Sequence, residues 1–569
     1  MSGLRVLLAV LALAACCDAL DREAFTITHY DLDVRLEPAQ QRLGVRGTIT
    51  LRNDSAQPQH LAVLQISSSL NWRMIRAAAE PGTGSAVQFL TQPYTSDIDH
   101  TGELSEAIVT LPREIAPKES IDLVIGYEGV IALDTTRLVR LGTPAAVARH
   151  SDWDQIGKND TALRGVGYVI WYPVAMEAQN LLDGGAMFAA MGKWKERHAA
   201  STMELRVNLI PEAATKPELL VNATGCARTE DATTGEIVLS GCRYDALGFA
   251  NPTLVVGTMQ EFTDGPVRVH FLAEHAEVAR ELVQQATRAE FLVKDWFGTS
   301  AVKPEVVDLA DADGAPYEAG AWLLLPLAKS RPETEHLLAV HQLAHAAFPS
   351  PRLWIYEGAA HFAQTVAQEK DGRAAALAYL ETFREALIEG QKAGVVSEPL
   401  ANTTQEALYN SKAALVWWML RDMVGDAALK RTLRLYRAAG DKDAAHFEHL
   451  LEAESKRDLA WFFQDWVYTD AGLPELHIES VNTRQTNGTS YLTAVTVTNT
   501  GGAGAEVAVT VHTNAGDFPQ RLEVHGHGKA VTRISTPAQP LEVVVNDGSV
   551  PEVGTTSHHL KIAGEAAPQ

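Results

Sequence analysis

His341 and His345 stand four residues apart in a run, Leu337 to Ala347, whose other members are mostly apolar. On a helix that spacing turns both imidazoles to one face, where they can share one ion. Glu357 follows after 11 intervening residues, in the setting Trp354-Ile355-Tyr356-Glu357-Gly358. The intervening stretch, broken at Pro349-Ser350-Pro351, could extend to about 36 Å, so it can double back and bring the carboxylate beside the rings. Two neutral imidazoles and one carboxylate suit a single zinc ion and leave a fourth position for water. With 19 His in 569 residues, chance gives roughly 0.6 such pairs, so the spacing alone is weak. The apolar helix, its proline stop and the carboxylate in an aromatic setting lift it above a pair of hydrogen-bonded histidines.

The elements that must carry these residues are legible in the periodicity. From Phe25 to about Phe262 the chain reads as strands: Tyr30, Leu32, Val34 and Leu36 alternate with polar residues, as do Val45, Gly47, Ile49 and Leu51. No long helical period interrupts them. At about Gly265 the period changes. After a short strand, Val267 to Phe271, residues Val278, Leu282, Ala286, Ala289 and Leu292 or Val293 form one helical stripe that Gly298 ends. Strand-like Glu305 to Leu309 and Trp322 to Leu325 precede the histidine helix, predicted over 334–348. Further helices are predicted over 357–369, 372–389, 406–424, 426–438, 443–455 and 458–468. From Leu476 alternation returns around Gly-rich turns, as in a small β-sandwich, and the polar tail after Gly554 is predicted to be loose. The expected fold is therefore multidomain α+β: a β domain over 20–264, a mainly helical domain over 265–474, and a β-sandwich with tail over 475–569.

Composition bounds the partners. A formal charge of −23, with 46% hydrophobic and 21% charged residues, describes a globular chain and argues against nucleic acid or an anionic membrane face. The first 19 residues read as an export signal: Arg5 precedes an apolar run, Val6 to Ala15, too short for a spanning helix. Leu13-Ala14-Ala15-Cys16 is lipobox-like, which would anchor the mature chain by a lipid on Cys16; cleavage after Ala19 is the alternative. The protein is accordingly expected to be exported: periplasmic, extracellular or lipid-anchored. Of four cysteines, Cys226 and Cys242 lie in the mature chain. In an exported protein an even pair reads as a disulfide, with two buried thiols as the alternative.

With these residues in hand, the chain resembles the aminopeptidase N family of zinc metallopeptidases, as a divergent member. His341 to His345 with Trp354-Ile355-Tyr356-Glu357-Gly358 is similar to its His-Glu-x-x-His and Trp-x-x-Glu-Gly motif. Lys412-Ala413-Ala414 is similar to its Lys-Gly-Ala helix, and Gly472-Leu473-Pro474-Glu475-Leu476 to its end-of-domain pattern. The resemblance implies a thermolysin-like helical domain, one zinc ion on His341, His345 and Glu357, and a peptide or protein substrate.

Four departures stand at chemical positions. Gln342 replaces the family's general base, and an amide cannot accept a proton near neutral pH. The transition-state tyrosine position falls on Asn410, with Tyr409 beside it. The Gly-Ala-Met-Glu-Asn strand, which holds the substrate's amine, aligns with Gly320-Ala321-Trp322-Leu323-Leu324, placing Leu323 at the carboxylate position; Glu318 falls outside it. The stretch between His345 and Glu357 is shorter than usual for the family. Two functions follow: a metallopeptidase with weak or altered peptide hydrolysis, or a pseudopeptidase that binds zinc and peptides or a protein partner without cleaving them.

Overall fold

The computed structural model describes residues 20–562, except 79–84, 159, 179–185, 213–215, 249, 301, 393–396, 487 and 489. The segment expected to be an export signal, its lipobox-like tetrapeptide and Cys16 lie outside the described residues. The chain divides into two compact units, Met1–Thr258 and Met259–Gln569.

In the first unit, alternation becomes sheet. Tyr30, Leu32, Val34 and Leu36 are buried along strand Phe25–Glu37 while their neighbours face out. This strand pairs antiparallel with Arg42–Asn53 and parallel with Thr202–Leu209, at the heart of an eight-stranded sheet. Strand Thr202–Leu209 also pairs with Ile237–Tyr244, which carries Cys242; a disulfide joins that residue to Cys226, just ahead of the neighbouring strand Ala227–Glu230. Three-stranded and four-stranded sheets complete the β content.

Helices are present where the sequence shows no helical period: Thr136–Arg140, Ala145–Ser151 and the longer Ala186–His198. The last ends on a buried imidazole. His198 stacks on Trp194, with ring centroids 4.6 Å apart. Its Nδ1 donates to the Trp194 carbonyl at 3.0 Å, and its Nε2 accepts the Ile27 N–H at 3.4 Å. Burial pushes its pKa down to about 3, so the ring is neutral.

In the second unit the elements are β1 (Gln260–Phe262), β2 (Arg268–Phe271), α1 (Ala276–Phe297), β3 (Glu305–Asp308), β4 (Tyr317–Ala319), β5 (Trp322–Leu325), α2 (Pro332–Ala347), α3 (Leu353–Gln368), α4 (Arg373–Lys392) and α5 (Ala413–Val424). The sheet runs β1-β2-β3-β5-β4, with β2, β3 and β5 parallel and each edge strand antiparallel to its neighbour. The predicted stripe of α1 holds: Leu282, Ala286, Ala289, Leu292 and Val293 are buried. α3 begins four residues earlier than predicted, because Trp354 and Ile355 are drawn into the core. Glu357 therefore sits in the second turn of α3 rather than at its start.

Beyond α5, helices Asp426–Leu435, His446–Ser455 and Ala460–Phe463 lead to two small sheets. One orders Leu476–Gln485, Tyr491–Asn499 and Lys529–Thr536; the other orders Gly516–Val524, Ala505–Thr513, Pro540–Val545 and His558–Lys561. The tail predicted to be loose thus includes an edge strand, paired through Val543 with Leu560. The sheets share one hydrophobic core with the helices, running from Val340 and Trp417 to Val507 and Val545. Among the described residues, no helix is long and apolar enough to cross a membrane.

Candidate metal centre

α2 packs between α1 and α3, and its inner face carries the two histidines. His341 is 7% exposed and His345 3%. Their Nε2 atoms lie 2.8 Å apart, with the rings at 87°. Glu357 reaches them from α3, with Oε2 3.7 Å from His341 Nε2 and 3.5 Å from His345 Nε2. The three residues expected from spacing are thus brought together.

The position of Glu357 depends on a close helix crossing. A Cβ built on Gly358 would stand 2.5 Å from the Trp417 ring and 2.9 Å from the Ala413 Cβ, so only glycine lets α5 come this near. Trp417 spans the crossing and donates its indole N–H to the Trp354 carbonyl at 3.2 Å. Tyr356, the residue before Glu357, stacks on His345 at 3.8 Å between centroids and orients that ring. Burial, reinforced by the two nearby carboxylates, keeps the Tyr356 hydroxyl protonated.

A second carboxylate enters from the sheet edge. Glu318 places Oε1 2.9 Å from His345 Nε2 and Oε2 3.4 Å from His341 Nε2. It forms with the two histidines a group able to hold a metal ion. The sequence placed Glu318 outside any site position, and the structure brings it to the histidines. Leu323 lies on the inner strand β5, buried in the core, and pairs directly with Glu318 on β4. Gly320 and Ala321 are the two-residue turn between these strands, Gly320 at φ +66°. The expected substrate-binding pair is therefore a hairpin turn, and the carboxylate of this edge belongs to Glu318.

The electrostatics favour positive charge. Burial alone raises both carboxyls, but the facing imidazoles outweigh it and hold Glu318 and Glu357 below the usual carboxylate range. Burial likewise lowers His345, and the two carboxylates overcome it and raise its pKa. Two carboxylates with two neutral imidazoles carry a charge of −2, which a divalent cation cancels. Buried Nε2 donors and carboxylate oxygens suit zinc in type and in spacing, so the residues present fit that ion.

A third ring adjoins the cluster. His361, one turn beyond Glu357 on α3, lies 4.9 Å from His341 between centroids. The Gln364 Nε2 donates to the Leu337 carbonyl, which leaves its Oε1 to accept from His361 Nδ1 at 2.9 Å. Burial lowers His361 to about 4. Its i+4 spacing from Glu357 was the available signal for it.

The remaining site positions are placed differently. Gln342 is buried on α2, and neither side-chain amide atom has a partner among the described residues. Tyr409 and Asn410 fall in a π-helical turn, Ala407–Lys412, that runs straight into α5. Such a turn inserts one residue and rotates its members on the helix face. Asn410 donates to Glu406 at 3.4 Å, and among the described residues it makes no hydrogen bond with the cluster. Lys412 is a tether: buried, it pairs with Asp470 at 2.8 Å.

No family model matches the chain, and no curated protein matches it. Among solved structures it is similar to an M1 zinc metallopeptidase from Deinococcus radiodurans, with 18% identity, 79% of this chain and 95% of that chain covered, and a TM-score of 0.49. A point mutant of the M1 zinc metallopeptidase from that organism, bound to a Tyr-Ser-Ala substrate, gives 17% identity, 76% and 94% coverage and a TM-score of 0.45. A mutant two-domain M1 zinc metallopeptidase bound to L-arginine gives 17%, 77% and 95%, and 0.47. At this identity and these TM-scores, what the site does rests on its own residues.

Proposed function

We propose that this chain is an exported zinc metallopeptidase-like protein of the aminopeptidase N type, with weak or altered peptide hydrolysis. The observation that carries the reading is the convergence of His341, His345 and Glu357 beside a buried Gln342. His341, His345 and Glu357 would hold the zinc, which supplies Lewis acidity towards a water or a peptide carbonyl. Gln342 can orient a water through its free amide but cannot take its proton, and losing a positioned base costs about 100- to 10,000-fold in rate. Export rests on the apolar amino-terminal run, and a lipid on Cys16 would attach the mature chain to a membrane.

The second reading is a pseudopeptidase that holds zinc and a peptide or protein partner without cleavage. It is favoured by the 2.9 Å approach of Glu318 to His345, which crowds the space a reacting water needs. Digestion of a broad peptide library separates the two. In the peptidase reading, slow cleavage by the wild type disappears in His341→Ala and rises about 100-fold or more in Gln342→Glu. Cleavage that is absent from the wild type and from Gln342→Glu alike leaves the pseudopeptidase.

A further inference from the structure

Resting on the second, non-cleaving reading of the zinc site, we propose that Glu318 is itself a metal ligand, completing a His341, His345, Glu357 and Glu318 donor set that closes the site to water. In a tetrahedral zinc site with bonds near ~2.05 Å, neighbouring donors stand ~3.3 Å apart. The two Nε2 atoms are 2.8 Å apart; Glu318 reaches His345 through Oε1 at 2.9 Å and His341 through Oε2 at 3.4 Å, while Glu357 reaches both through Oε2, at 3.5 and 3.7 Å. Glu318 lies as near to the histidines as Glu357 does, so nothing in the distances singles out Glu357 as the sole carboxylate ligand.

The backbone holds Glu318 there. β4 pairs with β5 in the register Tyr317 to Leu324, Glu318 to Leu323 and Ala319 to Trp322, closed by the turn at Gly320. Tyr317 and Ala319 are buried on one face of β4, so alternation sends Glu318 to the other, towards α2. A one-residue slip would turn the carboxylate away from the histidines and put Tyr317 in its place, so the register decides which side chain meets the cluster.

Charge and chemistry agree. Two carboxylates and two neutral imidazoles neutralise a divalent ion, whereas a single carboxylate leaves a net positive site. A four-ligand protein cage is the pattern of structural zinc, while hydrolytic zinc keeps a position open. A closed cage also accounts for Gln342: where no water is bound to be deprotonated, no base is required. The metal then ties the sheet edge at β4 to α2 and α3.

The test uses the full-length protein with zinc alone, in competition with a chromophoric chelator, and with cobalt(II) as a spectroscopic substitute. Glu318→Gln is expected to weaken zinc by at least ~10-fold, with Glu318→Asp intermediate. The cobalt spectrum of the wild type is expected to ignore added azide, whereas that of Glu318→Gln responds to it. A smaller loss of zinc affinity in Glu318→Gln, in protein whose circular dichroism matches the wild type, overturns the proposal. So does a wild-type cobalt spectrum that already responds to azide. If the wild type takes up no more zinc than His341→Ala, the zinc-site reading itself fails, a result distinct from either of these.

Discussion

His198 and His345 are both buried, and their surroundings drive them in opposite directions. His198, in the first unit, meets an indole face, a backbone carbonyl and a backbone N–H, and is held neutral. His345, in the second, meets a tyrosine face and two carboxylates, and is held ready for positive charge. Burial penalises charge at both. Only the carboxylates reverse it, so the partner rather than depth distinguishes a packing histidine from one that can hold an ion.

The contrast breaks most sharply on metal uptake. His345→Ala is expected to weaken zinc by more than ~100-fold, whereas His198→Ala leaves the affinity within about twofold, as read by chelator competition. Equal losses in both variants would erase the distinction.

A smaller effect should appear at the helix crossing that presents Glu357. Gly358→Ala forces a methyl group against Trp417 and Ala413, and is expected to destabilise the second unit by about 1–3 kcal/mol. Zinc affinity should fall with it, because α3 must shift. Urea unfolding and a zinc titration on the same variant check both; unchanged values would mean that Trp417 moves aside freely.

The smallest effect is a pH dependence in the first unit. Above about pH 6.5 His198 is neutral whether the chain is folded or not, so it contributes nothing to the slope. Below that, the unfolded chain takes a proton that the folded ring refuses down to about pH 3. Stability therefore falls as pH falls through this window, by just under ~1 kcal/mol at about pH 6. Hydrogen exchange of the segment containing Ile27, whose amide bonds to His198, should rise between about pH 7 and 5 relative to the intrinsic rate. His198→Gln should flatten that rise.

The histidine pair was readable because the i, i+4 spacing and the apolar stripe of α2 are local properties of a long helix. Glu357 was readable as a carboxylate in an aromatic setting, although its helix starts earlier than predicted because Trp354 and Ile355 find a core the sequence does not display. Glu318 was not readable: three residues of β4 are too few to show a period, and the Gly320 turn reads equally well as the start of a strand. The helix ending at His198 was hidden by the strands around it and by a weakly amphipathic run containing Gly192. The π-turn at 407–412 leaves no pattern in side-chain polarity, since it arises from one extra residue in a helix of ordinary composition.

The core shared by the helices and the carboxy-terminal sheets bears on how the chain can be divided. Trp466 donates to the Gly504 carbonyl, Gly504 N–H bonds to Asp465, and Arg384 on α4 reaches the Glu552 carbonyl. A cut at residue 474, the boundary the alternation suggests, would strip these contacts and bare the valines of the inner sheet. The sandwich is not a detachable cassette: its inner face and the helices that seat the candidate metal centre bury one another in a single core.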